Sequence, residues 1–143
     1  MRVLAIDLGS KRIGIAVSDE LGLTVRPVET IKRSGAARDF ARLQFLVSDL
    51  AAEAVVIGLP LRMDGTVGDA ALAATRFAER LRRVISVDVF TQDERLSSYE
   101  AEQIMVERGI SRARRREKSD QMAAAIILED FLSARKAARK KGV

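Results

Sequence analysis

Residues 2–18, RVLAIDLGSKRIGIAVS, predict the first part of a β-sheet. Two apolar, β-rich runs, 2–8 and 12–18, are separated by a link short enough for a β-hairpin. Residues 23–32 predict a third strand, in which Pro27 indicates a bulge or an edge position because proline cannot donate a ladder hydrogen bond. We therefore expect the amino-terminal part of the chain to form an antiparallel meander of three strands.

The rest of the chain alternates between strand and helix patterns. Short apolar strands are predicted over 54–57 and 86–92, and a basic loop over 110–118. Helical spacing of apolar residues recurs in four segments: 36–52, 69–84, 97–108 and 119–134. This order is typical of an α/β fold with one mixed five-stranded sheet, in which three antiparallel strands are followed by parallel crossovers and helices cover both faces.

Length and composition limit the classes of function. A chain of 143 residues predicts one domain, too small for the two lobes that enclose ATP in a kinase-type fold. The absence of Cys and His excludes disulfides, thiolate or imidazole zinc sites and catalytic triads that need imidazole. The longest apolar run, 122–128, is far too short to span a membrane. We expect a soluble, cytoplasmic protein whose chemistry depends on carboxylates, hydroxyls, lysine or a hard metal ion.

Positive charge is concentrated near the carboxyl terminus. Residues 108–143 contain 11 basic and 4 acidic side chains, a net charge of +7, within a chain whose net charge is +5. A cluster of arginines in this region predicts contacts with a phosphate backbone, although a solvated helix face would have a similar composition. The cluster consists of Arg112, Arg114, Arg115 and Arg116. Residues 1–134 are expected to form the folded domain, and 135–143 a disordered basic tail.

Three acidic residues occur where the predicted sheet could bring them together. Asp7 ends the first strand, Glu94 follows the last strand, and Asp120 begins the last helix. Because the carboxyl ends of parallel strands meet at one edge of a sheet, these side chains could converge there. Without imidazole, three carboxylates favour a hard cation such as Mg²⁺ or Mn²⁺. Two such ions can activate water for the hydrolysis of a phosphodiester.

Each acid also has a purely structural interpretation. Asp7 could form a turn, Asp120 could cap a helix, and Glu94 could belong to a solvated loop of ion pairs. Because side chains alternate along a strand, only one of Asp93 and Glu94 can face the site, and the sequence favours Glu94.

Four segments carry a resemblance to a known family. They are AIDLGSKRIGIAVSD (5–19), VIGLPLRMDGT (56–66), DERLSS (93–98) with Ala101, and Asp120 followed by Ala123-Ala124 and Ile127-Leu128. Together they resemble the signature blocks of the YqgF family, also called RuvX-like Holliday junction resolvases. The resemblance implies an RNase H-like fold and a metal-dependent endonuclease. Its catalytic and metal-binding acids would be Asp7, Glu94 and Asp120, and its phosphate contacts would include Lys11, Arg12 and Arg95.

The resemblance also suggests a substrate. Members of the family are described as nucleases that act at the 5′ end of precursor small-subunit ribosomal RNA, and earlier as Holliday junction resolvases. It therefore implies processing of pre-16S rRNA, and the sequence leaves open whether the protein is a monomer or a homodimer. The alternatives are resolution of four-way DNA junctions and non-catalytic RNA binding in ribosome assembly. One departure concerns the metal site, because related resolvases place an acid directly after the fourth strand, where this chain has Gly58-Leu59-Pro60.

Overall fold

A computed structural model of the protein describes residues 1–94, 103, 106–107, 109 and 112–140, with side chains described over 120–139 of the last range. Five strands and three helices lie within these residues. The strands are β1 (Val3–Leu8), β2 (Arg12–Ser18), β3 (Val25–Lys32), β4 (Ala54–Leu59) and β5 (Asp88–Asp93). The helices are α1 (Ala36–Asp49), α2 (Asp69–Arg82) and α3 (Arg112–Lys140).

The strands form one mixed sheet in the order β3-β2-β1-β4-β5. The pairs β1–β2 and β2–β3 are antiparallel, whereas β1–β4 and β4–β5 are parallel. Pro27 lies on β3, an edge strand, and the register shifts where Ile15 pairs with Glu29 and Ala16 with Pro27. The predicted meander, parallel crossovers and irregular edge are therefore confirmed.

Helices cover both faces of the sheet, as predicted. On one face, large side chains such as Leu4 and Ile6 pack against α1 and α2. On the other face, smaller residues such as Ala5 and Ala16 pack against α3. Burial of each large aliphatic side chain stabilises the fold by about 1.5–3 kcal/mol. The small residues on the second face let α3 approach the sheet closely. This close approach determines where the α3 side chains from Asp120 onward lie.

The last helix is longer than the sequence analysis predicted. It extends over Arg112–Lys140, so the prediction of a basic loop over 110–118 is wrong from residue 112 onward. The predicted disordered tail is likewise helical as far as Lys140. Arg, Lys and Ala have high helix propensity, and no Gly or Pro interrupts the segment. The guanidinium of Arg135 also packs over the Phe131 and Phe90 rings, at 5.5 and 5.7 Å from their centroids.

The structure does not test two other predictions. The helix predicted over 97–108 lies outside them except at 103, 106 and 107. The domain boundary after residue 134 remains a prediction. Among the helices that the structure describes, none is both long and apolar enough to cross a membrane.

Candidate functional site

Asp7 and Asp120 come together across Gly14. Asp7 near the end of β1 pairs with Gly14 of β2, and strand alternation places both residues on the face that packs against α3. A Cβ added to Gly14 would overlap the backbone carbonyl of Asp120 and would lie only 2.8 Å from the Asp120 Cβ. The helix therefore passes directly over Gly14, and the absence of a side chain there lets Asp120 approach Asp7. We call these two carboxylates the acid pair.

The acid pair alters the ionisation of Asp7. Burial is the main cause that raises the pKa of Asp7 from 3.8 to about 7, and the negative charge of Asp120 contributes to the same rise. Both causes act by disfavouring the carboxylate form. A cation placed between the two groups would favour that form again, so the pair has the electrostatic character of a cation site.

Arg12 already contacts one member of the acid pair. Its Nε donates a hydrogen bond of 2.8 Å to Oδ2 of Asp120, and the two side chains are 44% and 18% exposed, respectively. The sequence analysis predicted Arg12 only as a phosphate contact. The structure places it against a predicted metal ligand, where its charge offsets that of Asp120.

Glu94 approaches the same face from the far side of β4. Its backbone N–H donates to the carbonyl of Leu59 at 3.0 Å, which continues the β4–β5 ladder one residue beyond Asp93. Its Cβ lies 3.8 Å from the position that a Cβ on Gly58 would take. Glu94 is only 9% exposed, whereas Asp93 is exposed. Glu94 therefore lies on the face that packs against α3, and its role in the site remains a prediction.

The three predicted acids do not form one compact cluster. Asp7 belongs to β1 and Glu94 follows β5, so β4 separates the two strands. In the part of the chain that the structure describes, no group of three acidic side chains is close enough to hold a metal ion. The structure therefore brings Asp7 and Asp120 together and places Glu94 on the same face without completing a three-carboxylate site.

The turn between β1 and β2 is held by residues that the sequence analysis missed. The Arg33 guanidinium donates to the carbonyl of Gly9 at 2.8 Å, and the Arg33 backbone N–H donates to the carbonyl of Lys11 at 2.9 Å. Asp39 lies 3.7 Å from Arg33 Nε and accepts a hydrogen bond from the Ser34 N–H. Asp39 is only 3% exposed. An acid beside Phe40 on the apolar face of α1 was the available signal, because buried charges are normally paired.

The remaining predicted contacts are less fully described. Lys11 is exposed in the β1–β2 turn. Arg95 lies outside the described residues. The cluster of Arg112, Arg114, Arg115 and Arg116 belongs to the first turns of α3, and its side chains lie outside the description.

Two bacterial proteins are similar to this chain over nearly its whole length. One, from Geobacillus kaustophilus (strain HTA426), is 42% identical over 138 residues, which cover 95% of this chain and 100% of that protein. Another, from Myxococcus xanthus (strain DK1622), is 46% identical over 134 residues, which cover 94% of this chain and 89% of that protein. Both are named as candidate pre-16S rRNA nucleases.

Solved structures of junction resolvases share the fold. RuvC of T. thermophilus, in complex with a Holliday junction substrate, has a TM-score of 0.57 and 22% identity, over 95% of this chain and 96% of that one. The Fowlpox virus resolvase with its Holliday junction DNA has a TM-score of 0.58 and 9% identity, over 94% and 98%. The expected RNase H-like fold is confirmed. The family model described as "RuvX: Holliday junction resolvase" matches residues 1–134, and the chain belongs to that family.

Proposed function

We propose that the protein is a metal-dependent endonuclease that hydrolyses phosphodiester bonds in structured RNA, with the 5′ end of pre-16S rRNA as its substrate. The names of the similar bacterial proteins support this substrate. The observation that carries the chemistry is the acid pair, in which a buried Asp7 meets Asp120 across Gly14. The proposal does not depend on Glu94 joining the pair in the same coordination shell.

The residues of the site fit a hard divalent cation. Mg²⁺ is commonly held by one or two carboxylates, with substrate phosphates and water completing its shell. Asp7 and Asp120 would hold the ion, and Glu94 is a further carboxylate on the same face. When bound, such an ion activates water and stabilises the oxygen that leaves the phosphorus.

The chain's own residues contribute charge and position. Arg12 contacts Asp120 through Nε, and among the described residues no second acidic side chain lies within 4 Å of its guanidinium. The other guanidinium donors can hydrogen-bond to a phosphate oxygen while Arg12 stays near the acid pair. The β1–β2 turn, held by Arg33, keeps Lys11 and Arg12 beside the end of β1. Arg12 and Lys11 therefore orient the phosphate next to Asp7.

Cleavage by an Asp7 variant tests the proposal. Asp7→Asn should reduce Mg²⁺-dependent cleavage of a pre-16S rRNA fragment by at least about 100-fold, since a misplaced reacting group alone can cost that much. Asp88→Asn is the matched control, because Asp88 is an exposed acid on the same sheet. It should retain the wild-type rate. A folded Asp7→Asn protein that cleaves as fast as the wild type would refute the proposal.

A second candidate substrate is a four-way DNA junction. It is favoured by the description of the matching family as Holliday junction resolvases. Both substrates contain phosphodiesters, so the acid pair could serve either. Cleavage of precursor RNA and of a synthetic junction by the same preparation separates them, because the preferred substrate is cut faster at equal concentration. A non-catalytic assembly factor would cut neither, and its RNA binding would not depend on Asp7.

A further inference from the structure

A groove lies along the β2–β3 edge of the sheet, beside the acid pair. It has a volume of about 530 Å³, and its lining includes Lys11, Arg12, Lys32, Thr30 and Gln121. Gln121 directly follows Asp120, and Arg12 contacts Asp120. One end of the groove therefore lies beside Asp120 of the acid pair. We call it the β3 groove.

Positive charge in the β3 groove is arranged at a cost to the fold. Arg12 and Lys32 are direct cross-strand partners, and like charges at such positions repel. Lys11 is adjacent to Arg12 in the chain. Over the described residues, neither Lys11 nor Lys32 has an acidic partner within 4 Å. Because Lys11 and Lys32 stand beside Arg12 without acidic partners of their own, the positive potential of this surface favours an anion.

The acid that also lines the groove does not cancel this charge. Glu29 is bound by Arg42 in two hydrogen bonds, of 2.6 and 3.0 Å. Because this pair is bidentate, the negative charge of Glu29 is largely offset by Arg42 rather than by the lysines. The two lysines consequently remain available to a ligand.

Two polar side chains that also line the groove are held together by a hydrogen bond. Gln121 Nε2 donates a hydrogen bond of 3.1 Å to Oγ1 of Thr30. This bond connects α3, one residue after Asp120, to the edge strand β3. Amide and hydroxyl groups of this kind hydrogen-bond to sugar and phosphate oxygens in nucleic-acid complexes. Cations, a bonded amide and hydroxyl, the apolar surface of Val28 and an opening at the acid pair together suit a chain of phosphates and sugars.

We propose that the β3 groove binds the backbone of one polynucleotide strand, namely the strand that continues from the bond cut at the acid pair, and that Lys32 contacts one of its phosphates. Lys32 lies in none of the four segments that carry the family resemblance. The position of the cut bond rests on the proposed function, whereas binding in the groove can be measured without cleavage.

The salt dependence of RNA binding tests the role of Lys32. A short fluorescently labelled RNA strand is titrated with protein in EDTA at several salt concentrations from about 50 to 200 mM. Each phosphate contact contributes about 0.7 to the slope of log affinity against log salt for a single strand. Lys32→Gln should therefore lower the magnitude of that slope by about 0.7. With about 1 M salt as the reference at which variant and wild type bind equally, the affinity of the variant at about 0.1 M salt is then about fivefold below that of the wild type.

Two control variants isolate the effect of the groove. Arg76→Gln removes one exposed cation from α2, on the opposite face of the sheet, and should leave the slope unchanged. Lys32→Arg keeps the charge and should keep the wild-type slope. Because Lys32→Gln also relieves repulsion with Arg12, it should unfold at no lower temperature than the wild type.

The outcomes separate this inference from the proposed function. If Lys32→Gln binds RNA with the same slope and affinity as Arg76→Gln, the β3 groove is not a binding surface, even if Asp7→Asn abolishes cleavage. If the slope falls as expected while Asp7→Asn still cleaves, the groove stands and the proposed chemistry fails. Equal losses in Lys32→Gln and Lys32→Arg would also overturn the inference, because they would exclude charge as the cause.

Discussion

Replacing Asp7 by Asn should stabilise the protein at neutral and alkaline pH while it removes activity. Burial, together with the charge of Asp120, raises the pKa of Asp7 from 3.8 to about 7. A carboxyl group with a raised pKa binds its proton more tightly in the folded than in the unfolded protein, so its ionisation destabilises the folded state. Asparagine has nearly the same shape as aspartate and cannot ionise. The substitution therefore removes the cost of the buried charge.

The size of the effect follows from the two pKa values. They differ by about three pH units, and each unit corresponds to about 1.4 kcal/mol, so the cost approaches about 4 kcal/mol at most. Below about pH 4 the carboxyl group is protonated in both states, and this cost is absent. Between about pH 4 and 7 only the unfolded protein releases the proton, so wild-type stability falls as the pH rises. Above about pH 7 both states are ionised, and the cost is complete and constant.

Urea unfolding in EDTA measures this difference. The free energy of unfolding of Asp7→Asn should exceed that of the wild type by the largest amount near pH 8 and by almost nothing near pH 4. The exposed acid Asp88 supplies the control, since Asp88→Asn should follow the wild type at every pH. Added Mg²⁺ should narrow the gap, because a ligand that binds only the folded wild type stabilises it. A gap that does not change with pH, or an Asp7→Asn protein that is less stable near pH 8, would refute the reasoning.

Two further predictions concern the contacts around the acid pair. Asp120→Asn should lower the pKa of Asp7 because it removes the neighbouring negative charge, whereas Arg12→Gln should raise that pKa because Asp120 loses the cation that offsets its charge. NMR titration of the Asp7 carboxyl carbon measures both pKa values. Shifts of the same sign in the two variants would contradict these charge effects. Gly14→Ala should push α3 off the sheet, reduce cleavage and cost about 1–3 kcal/mol in urea unfolding. Gly58→Ala should cost less, because its Cβ meets the end of a flexible side chain in α3 rather than backbone, and a larger loss for Gly58→Ala would contradict this ranking.

The sheet could be predicted because its signals are local. The two apolar runs are joined by a link short enough for a hairpin, and Pro27 restricts its strand to an edge or a bulge. Handedness and connection rules then leave few arrangements for the later strands. Asp7 and Glu94 could be assigned to strand ends for the same reason.

The contacts within the site could not be predicted in this way. Arg12 and Asp120 are 108 residues apart, and nothing near either residue indicates the other. Their contact depends on how closely α3 approaches Gly14, which is a property of packing between the sheet and the helix. The start of α3 was predicted wrongly because the dense positive charge of residues 112–118 is also typical of a loop. The same residues have high helix propensity and form the first part of α3.

The same close packing explains why Gly58, near the end of β4, is not an acid in this chain. A Cβ on Gly58 would overlap the side chain of Ile127, so α3 in its present position leaves no room for a carboxylate there. Glu94 extends from the neighbouring strand instead, and its Cβ is in van der Waals range of that same position. Gly14 allows the helix to approach at the other side of Asp7. Gly14 thus sets how closely the α3 backbone approaches the sheet, whereas Gly58 makes room for the Ile127 side chain, and both determine from which strands carboxylates can reach the face beside Asp7.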